Sequence, residues 1–247
     1  MILEACVNSA ISAFEAQEGG ANRVELCDNL LEGGTTPGAG TIRVARKLLK
    51  IDLFVMIRPR GADFLYNERE FEIMKEDIHT AKESGADGLV FGILNPDGTV
   101  DKQRMQLLVS LARPCKVNCH RAFDMTRDPF RAMEDLVSIG VDRILTSGQS
   151  ESALSGAGLI RQLIQKSRGR IAIMPGNGVK EDNLLQVARE TGATEFHIHL
   201  DKSVKTGMNF FNEKVQMGKP GQSEYEIIVT DRERVANARK IIDSFDL

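Results

Sequence analysis

The chain has 247 residues, a formal net charge of −3 and a composition that is 42% hydrophobic and 27% charged. These fractions are typical of a globular protein with a full core and argue against a disordered chain. The small negative net charge argues against general nucleic-acid binding, which favours a basic face.

The N-terminus lacks the basic region and apolar run of a signal peptide, and no stretch approaches the roughly 20 apolar residues of a membrane span. We therefore expect neither a membrane segment nor a membrane partner. The four cysteines, Cys6, Cys27, Cys115 and Cys119, form no CxxC motif, and a chain of this size does not depend on disulfides. Reduced thiols and a cytoplasmic location are therefore expected.

Short β-like segments alternate with helical segments along the chain. The predicted strands cover residues 2–7, 23–27, 53–59, 88–92, 116–123, 143–148, 170–176 and 195–200. The predicted helices lie near 9–19, 40–50, 68–84, 101–112, 128–139, 155–168, 181–191 and 231–245. This alternation is typical of βαβ units in a parallel sheet, and eight units predict a (β/α)8 barrel, the TIM-barrel fold of the α/β class.

A single domain over residues 1–247 accounts for the pattern, apart from a polar, irregular insertion at about 201–224 after the eighth strand. The insertion carries Gly207, Gly218, Pro220 and Gly221. Loops that follow the strands of such a barrel lie over its functional face. The insertion is therefore expected there, either as a lid or oligomer contact or as a passive excursion.

Side chains along a strand alternate between its two faces, which predicts which of them point into the barrel. In the first strand the apolar face turns to the helices, so Glu4 and Cys6 point inward, and Glu25 and Cys27 do the same in the second. For the fourth, sixth and seventh strands the alternation does not decide. The same counting on the third, fifth and eighth strands adds Met56, Arg58, Asn118, His120, His197 and His199.

Acid–base groups at the ends of barrel strands are typical of active sites. His120 titrates near neutral pH, Asp124 could orient it, and Glu4 or Glu25 could act as general base. Such a set predicts lyase or isomerase chemistry on a small anionic or phosphorylated metabolite without an organic cofactor. The alternative is that the carboxylates only pair with arginines and hold the barrel together. Arg121 is expected to point outward.

Two kinds of segment could bind the anion. Arg58 and Arg60 in IRPRG (57–61) have the same parity, and arginine forks match carboxylate or phosphate groups. TSG (146–148) and PGNG (175–178) end the sixth and seventh strands, so Ser147, Gly176 and Gly178 could hold a phosphate through their loops. The glycines could equally serve tight turns, and the arginines could pair with nearby acids.

Cys6 and Cys27 lie on neighbouring strands and support a separate hypothesis. Two thiolates with Met56 or a histidine nearby would be soft ligands suited to copper(I). The alternative is two small buried thiols that fill space in the barrel. His197 and His199 share a face but have no evident third ligand, so zinc is weakly supported.

The chain also resembles the copper homeostasis protein CutC family over nearly its whole length. The matching segments occur in the family's order and are EACVNSAISAFEAQEGGANRVELC, EGGTTPG, VMIRPRGADFLY, GADGLVFG, HRAFD, RILTSG, PGNG and ATEFH. The resemblance implies a cytoplasmic TIM barrel that forms homo-oligomers and binds copper(I) at Cys6 and Cys27. It favours a copper homeostasis protein, with the enzyme on a small anionic metabolite as the alternative and a scaffolding barrel without turnover as a third possibility.

Overall fold

Eight strands and the helices between them follow one another in the order that the sequence predicts. The computed structural model describes residues 1–212, 214–217 and 223–245. The barrel strands are β1 Ile2–Val7, β2 Arg23–Leu26, β3 Asp52–Met56, β4 Gly88–Phe91, β5 Lys116–Cys119, β6 Arg143–Thr146, β7 Ala172–Pro175 and β8 Glu195–Ile198. The helices are α1 Ala10–Glu18, α2 Ala39–Leu48, α3 Glu68–Glu83, α4 Lys102–Ala112, α5 Pro129–Ser138, α6 Ala157–Ser167, α7 Leu184–Thr191 and α8 Arg232–Asp243.

The strands form one parallel sheet that runs in the order β7-β6-β5-β4-β3-β2-β1-β8. Sequential strands are therefore neighbours, and β8 returns to pair with β1, as in a TIM barrel. Registered pairing is found between all neighbours in this order, and β7 and β8 bound the remaining seam. This nearly closed barrel confirms the predicted fold.

Local signals in the sequence set where the helices begin. Asn67 and Glu70 form a reciprocal capping box at the start of α3, which satisfies backbone N–H groups that have no partner within the helix. Asp128 caps α5 with its side chain alone, which accepts from two backbone N–H groups, and Pro129 occupies the first helical position, where its missing N–H costs nothing. The apolar side of each helix packs on the barrel, so the strand ends are held in fixed positions.

The buried apolar residues form two clusters. The larger one lies between the strands and the surrounding helices. The smaller one lies inside the barrel and consists of Cys6, Cys27, Phe54, Met56 and Val90. The strand alternation predicted the inward direction of the two cysteines and Met56, and the structure adds Val90 from β4.

A charged layer fills the barrel beneath this inner cluster. Arg143 donates to Glu195 through Nε and Nη2 at 2.5 and 3.0 Å, and Arg23 Nη2 donates to the same carboxylate at 2.9 Å. Both guanidinium groups lie over the ring of Phe54, at 4.9 Å for Arg23 and 5.7 Å for Arg143. Asn118 Oδ1 accepts from Arg143 Nη1 at 2.8 Å and completes the layer.

The segment expected to be an irregular insertion instead begins with regular structure. Strand β9 (Asp201–Lys205) pairs antiparallel with β10 (Glu226–Thr230), with Asp201 opposite Thr230. Phe210 and Met217 between them are exposed. Gly218, Pro220 and Gly221 lie outside the described residues. Among the helices that are described, none has the length and apolar character needed to cross a membrane.

Strands β3 and β5 end three and four residues earlier than predicted, which changes the direction of the side chains that follow. Strand β3 ends at Met56 and not at residue 59. Strand β5 ends at Cys119 and not at residue 123, because residues Arg121–Met125 form a short 3-10 helix. Strand alternation therefore does not apply to Arg60 or Arg121, and the side chains of both point in directions that it did not predict.

Candidate functional site

A cavity of about 510 Å³ opens at the carboxyl ends of the barrel strands. Its size suits a small molecule, and its position is the one that TIM-barrel sites occupy. Of the residues that line the cavity, the following are discussed below: Cys6, Glu25, Cys27, Arg58, His120, Arg121, Asp124, Gly178, Lys180 and His197.

Cys6 and Cys27 meet in the wall of this cavity. Their sulfur atoms and a carboxyl oxygen of Glu25 all lie within 4.8 Å of one another, and Cys27 Sγ lies 3.6 Å from Glu25 Oε2. A hydrogen bond from Cys27 is the main reason that the pKa of Cys6 lies well below its usual value, and His197 lowers it further against the effect of burial. The same bond, with burial, raises the pKa of Cys27. Of the two thiols, Cys6 is therefore the one that loses its proton more readily.

Gly34 brings a loop close to the thiols. Its φ of +87° is in the left-handed region, which favours glycine. A Cβ atom there would lie 3.2 Å from Cys27 Sγ and 3.5 Å from Met56 Cε. Any larger residue would strain the backbone and press against the side chains of Cys27 and Met56.

Glu25 and His197 hold unusual charge states because they are buried together. Burial raises the pKa of Glu25 to about 8, although the nearby His197 charge lowers it in part. Burial alone would lower the pKa of His197, but Glu25, Cys6 and Glu4 outweigh that effect and raise it well above its usual value. His197 is therefore an imidazolium at neutral pH, while much of Glu25 is a neutral carboxylic acid.

Glu4 lies beneath the cavity and does not line it. Its carboxylate accepts a short hydrogen bond from Arg23 Nε and lies 2.8 Å from His197 Nδ1. Burial would raise the pKa of Glu4, but Arg23, His197 and Arg143 together lower it to about 2. Glu4 is thus a paired carboxylate that orients His197, and its geometry does not favour the role of general base.

His120 is a neutral hydrogen-bond donor to the cavity. Burial, with a smaller effect of Arg58, lowers its pKa to about 3. Nδ1 accepts the backbone N–H of Ala122 at 3.2 Å, so the ring proton is on Nε2, and Nε2 has no partner among the described residues. Gly92 leaves room for the ring, since a Cβ atom there would lie 3.0 Å from it.

Arg58 is buried in the cavity wall, where it links the loop after β2 to the loop after β3. Nη1 donates to the carbonyl oxygens of Glu32 and Gly34, and Nη2 donates to that of Ala62, each at 2.8 Å. The guanidinium also lies 5.0 Å from the ring of Phe64. Only Nε is left without a partner among the described residues.

Arg60 is not beside Arg58, contrary to the prediction that both turn towards one anion. It lies outside the cavity and donates to Glu70 at 2.6 Å and to Asp63 at 3.0 Å. Its guanidinium also lies 5.1 Å from the ring of Tyr66. The cause is the early end of β3, after which the chain turns outward.

Asp124 organises a loop and makes no hydrogen bond to His120. Its carboxylate accepts from Thr146 Oγ1 at 2.5 Å, from the backbone N–H of Ser147 and Gln149, and from Ser147 Oγ. It also pairs with Arg121 Nε at 2.8 Å. Ser147 is fully engaged in this loop and does not line the cavity.

Of the two glycines that were predicted to help bind an anion, Gly178 lines the cavity and Gly176 does not. A Cβ atom at Gly176 would lie 2.4 Å from Leu145 Cδ1 and 3.1 Å from His197 Cβ, so this glycine is needed for close packing. Gly178 lines the cavity together with Arg121 and Lys180, two cationic residues that sequence reasoning missed. The early end of β5 at Cys119, before the HRAFD motif, turns Arg121 towards the cavity.

Comparisons with known proteins agree with the predicted resemblance. The family model described as the CutC family matches residues 1–202. The copper homeostasis protein cutC homolog of Mus musculus is 51% identical over 97% of this chain and 89% of its own length, and that of Homo sapiens is 48% identical over 97% and 88%.

Comparison with solved structures also indicates the CutC family. The CutC crystal structure from Streptococcus agalactiae has a TM-score of 0.77 and 36% identity, covering 80% of this chain and 97% of its own. Thiamine phosphate pyrophosphorylase from Pyrococcus furiosus has a TM-score of 0.59 at 14% identity, covering 98% of this chain and 95% of its own, which is a likeness of fold alone. The chain therefore belongs to the CutC family of copper homeostasis proteins.

Proposed function

We propose that the protein binds copper(I) as its cargo through Cys6 and Cys27. The observation that carries this proposal is that two sulfur atoms from neighbouring strands lie within 4.8 Å of each other, and the pKa of one of them, Cys6, lies well below its usual value. Thiolate sulfur is the soft donor that copper(I) prefers. The names of the mouse and human relatives support the same function.

The positive side chains around the pair do not oppose such a complex. A copper(I) ion held by two thiolates is itself an anion with one net negative charge. His197 and Arg58 line the same cavity and are positively charged, so they attract this complex. Glu25 adds little repulsion because its raised pKa leaves much of it neutral.

Titration of the reduced protein with copper(I) against a competing chelator tests the proposal. We expect one ion per chain, with binding lost in Cys6→Ser/Cys27→Ser. The matched control is Cys115→Ser/Cys119→Ser, which changes the two cysteines outside the cavity and should bind as the wild type does. Equal binding by all three proteins would show that the pair is not the site.

A second candidate function is supported by the rest of the cavity. The thiols occupy only one part of about 510 Å³, and other parts carry Glu25, His120, Arg121 and Lys180, which are not soft ligands. Glu25 could move a proton while the Nε2–H of His120 stabilises a developing oxyanion. This arrangement supports lyase or isomerase chemistry on a small anionic metabolite.

Proton exchange next to a carbonyl group tests this second function. Pyruvate and glycolaldehyde phosphate are incubated with the protein in D2O, and the loss of the α-proton signals is followed by NMR. We expect exchange above the protein-free rate that Glu25→Gln abolishes and Cys6→Ser/Cys27→Ser retains. Exchange at the protein-free rate for both compounds would argue against this chemistry.

A further inference from the structure

Several buried polar atoms without a partner belong to side chains of one cavity. The described residues contain six buried side-chain nitrogen or oxygen atoms that lack a hydrogen-bond partner. Three of the six, Glu25 Oε1, Arg58 Nε and His120 Nε2, belong to residues that line the 510 Å³ cavity. Since buried polar groups in native proteins are nearly always hydrogen-bonded, this grouping points to a ligand with matching polar atoms.

The types of these atoms define the ligand. Arg58 Nε–H and His120 Nε2–H are both donors, so the ligand needs at least two acceptor oxygen atoms. Arg58 carries a positive charge, which favours a negatively charged acceptor. His120 is held as a neutral donor by the N–H of Ala122 on its other nitrogen, and this suits a hydroxyl or carbonyl oxygen.

The mouth of the cavity is also positively charged. Lys180 lines it, is exposed to solvent, and makes no ion pair with any residue that the structure describes. Arg121 lies on the same cavity with its side chain 41% exposed, although Asp124 balances part of its charge. Cations at an opening raise the local concentration of small anions.

We propose that the cavity binds a small oxyanion, a carboxylate or phosphate ester that also carries a hydroxyl or carbonyl oxygen. Arg58 and Lys180 supply its counter-charge, and His120 donates to the uncharged oxygen. The inference rests on the second function proposed above, for which it names the substrate class. Binding requires neither copper nor turnover, so its failure can be told apart from a failure of copper binding or of proton exchange.

Calorimetric titration of the reduced, copper-free protein tests the inference with four probes: glycolaldehyde phosphate, glycolate, inorganic phosphate and ethylene glycol. His120→Asn keeps an acceptor for the N–H of Ala122 but loses the donor at Nε2, whereas His120→Gln keeps a donor near that position. Lys180→Ala removes an exposed charge at the mouth. Lys47→Ala, an exposed lysine on α2, is its matched control.

We expect glycolaldehyde phosphate or glycolate to bind the wild type, and His120→Asn to weaken this binding about tenfold or more. His120→Gln should lose less, and Lys180→Ala should weaken binding about threefold while Lys47→Ala changes nothing. Binding of glycolate alone identifies the carboxylate as the anchor, and binding of glycolaldehyde phosphate alone identifies the phosphate.

Three results would overturn the inference. The first is no binding of any probe, and the second is binding of ethylene glycol as tight as that of glycolate. The third is equal affinity in the wild type, His120→Asn and Lys180→Ala. If His120→Asn does not fold, the comparison of Lys180→Ala with Lys47→Ala decides the outcome.

Discussion

Replacing Glu4 by glutamine would remove one negative charge from the barrel interior and keep the shape of the side chain. Glu4 is fully buried between Arg23 and His197. The neighbouring carboxylate, Glu195, is already engaged by Arg23 and Arg143, so it cannot replace the lost charge. Removing one member of a buried ion pair typically costs about 3–5 kcal/mol.

The lowered pKa of Glu4 gives a second value for this loss of stability. Burial raises it, but Arg23, His197 and Arg143 lower it from 4.5 to about 2 in the folded protein. This shift corresponds to roughly 3 kcal/mol in favour of the folded state. Because the folded pKa is the lower one, the stabilisation is present above pH 4.5 and is lost as the pH falls towards 2.

Urea unfolding followed by far-UV circular dichroism measures the effect, since the chain has no tryptophan. We expect Glu4→Gln to lose about 3 kcal/mol of unfolding free energy at pH 7 and the deficit to shrink on acidification. The control is Glu134→Gln, which breaks a surface pair with Arg170 and should cost less than about 1 kcal/mol. A deficit for Glu4→Gln no larger than that of Glu134→Gln would refute the reasoning.

Three further changes test other parts of the site. Gly92→Ala places a Cβ atom 2.9 Å from the Cβ atom of Ala122 and 3.0 Å from the His120 ring. The variant should therefore lose about 1–3 kcal/mol of unfolding free energy in urea, and unchanged stability would contradict this packing. Asp124→Ala removes the acceptor of several loop hydrogen bonds, so the melting temperature of the variant should fall by about 5–10 °C. A smaller fall would mean that the loop keeps its structure without these hydrogen bonds. Arg60→Ala should leave the affinity for the phosphate or carboxylate probe that binds the wild type unchanged, and a tenfold loss would return Arg60 to the anion site.

Much of the site could be predicted because side chains alternate reliably along a regular strand. Counting from the apolar face of β1 and β2 placed Cys6, Glu25 and Cys27 inside the barrel, where the structure has them. The same counting placed His120 and His197 on the inner side of β5 and β8. These predictions needed only local periodicity and the closure of the barrel.

The rest depended on where strands end, which local periodicity does not show. Arg121 was expected to point outward, but β5 ends at Cys119, and the 3-10 helix that follows turns it to the cavity. Arg60 was expected beside Arg58, but β3 ends at Met56. Lys180 has no motif of its own, and only the three-dimensional course of the loop after β7 brings it to the mouth.

The charged layer of Arg23, Phe54, Asn118, Arg143 and Glu195 has a consequence for how cargo is exchanged. All five residues belong to the barrel strands and lie beneath the thiols, so the barrel is closed at that end. Whatever reaches Cys6 and Cys27 must arrive and depart through the same opening. If copper(I) binds there as we propose, its donor and its acceptor would therefore use the same opening and act in turn.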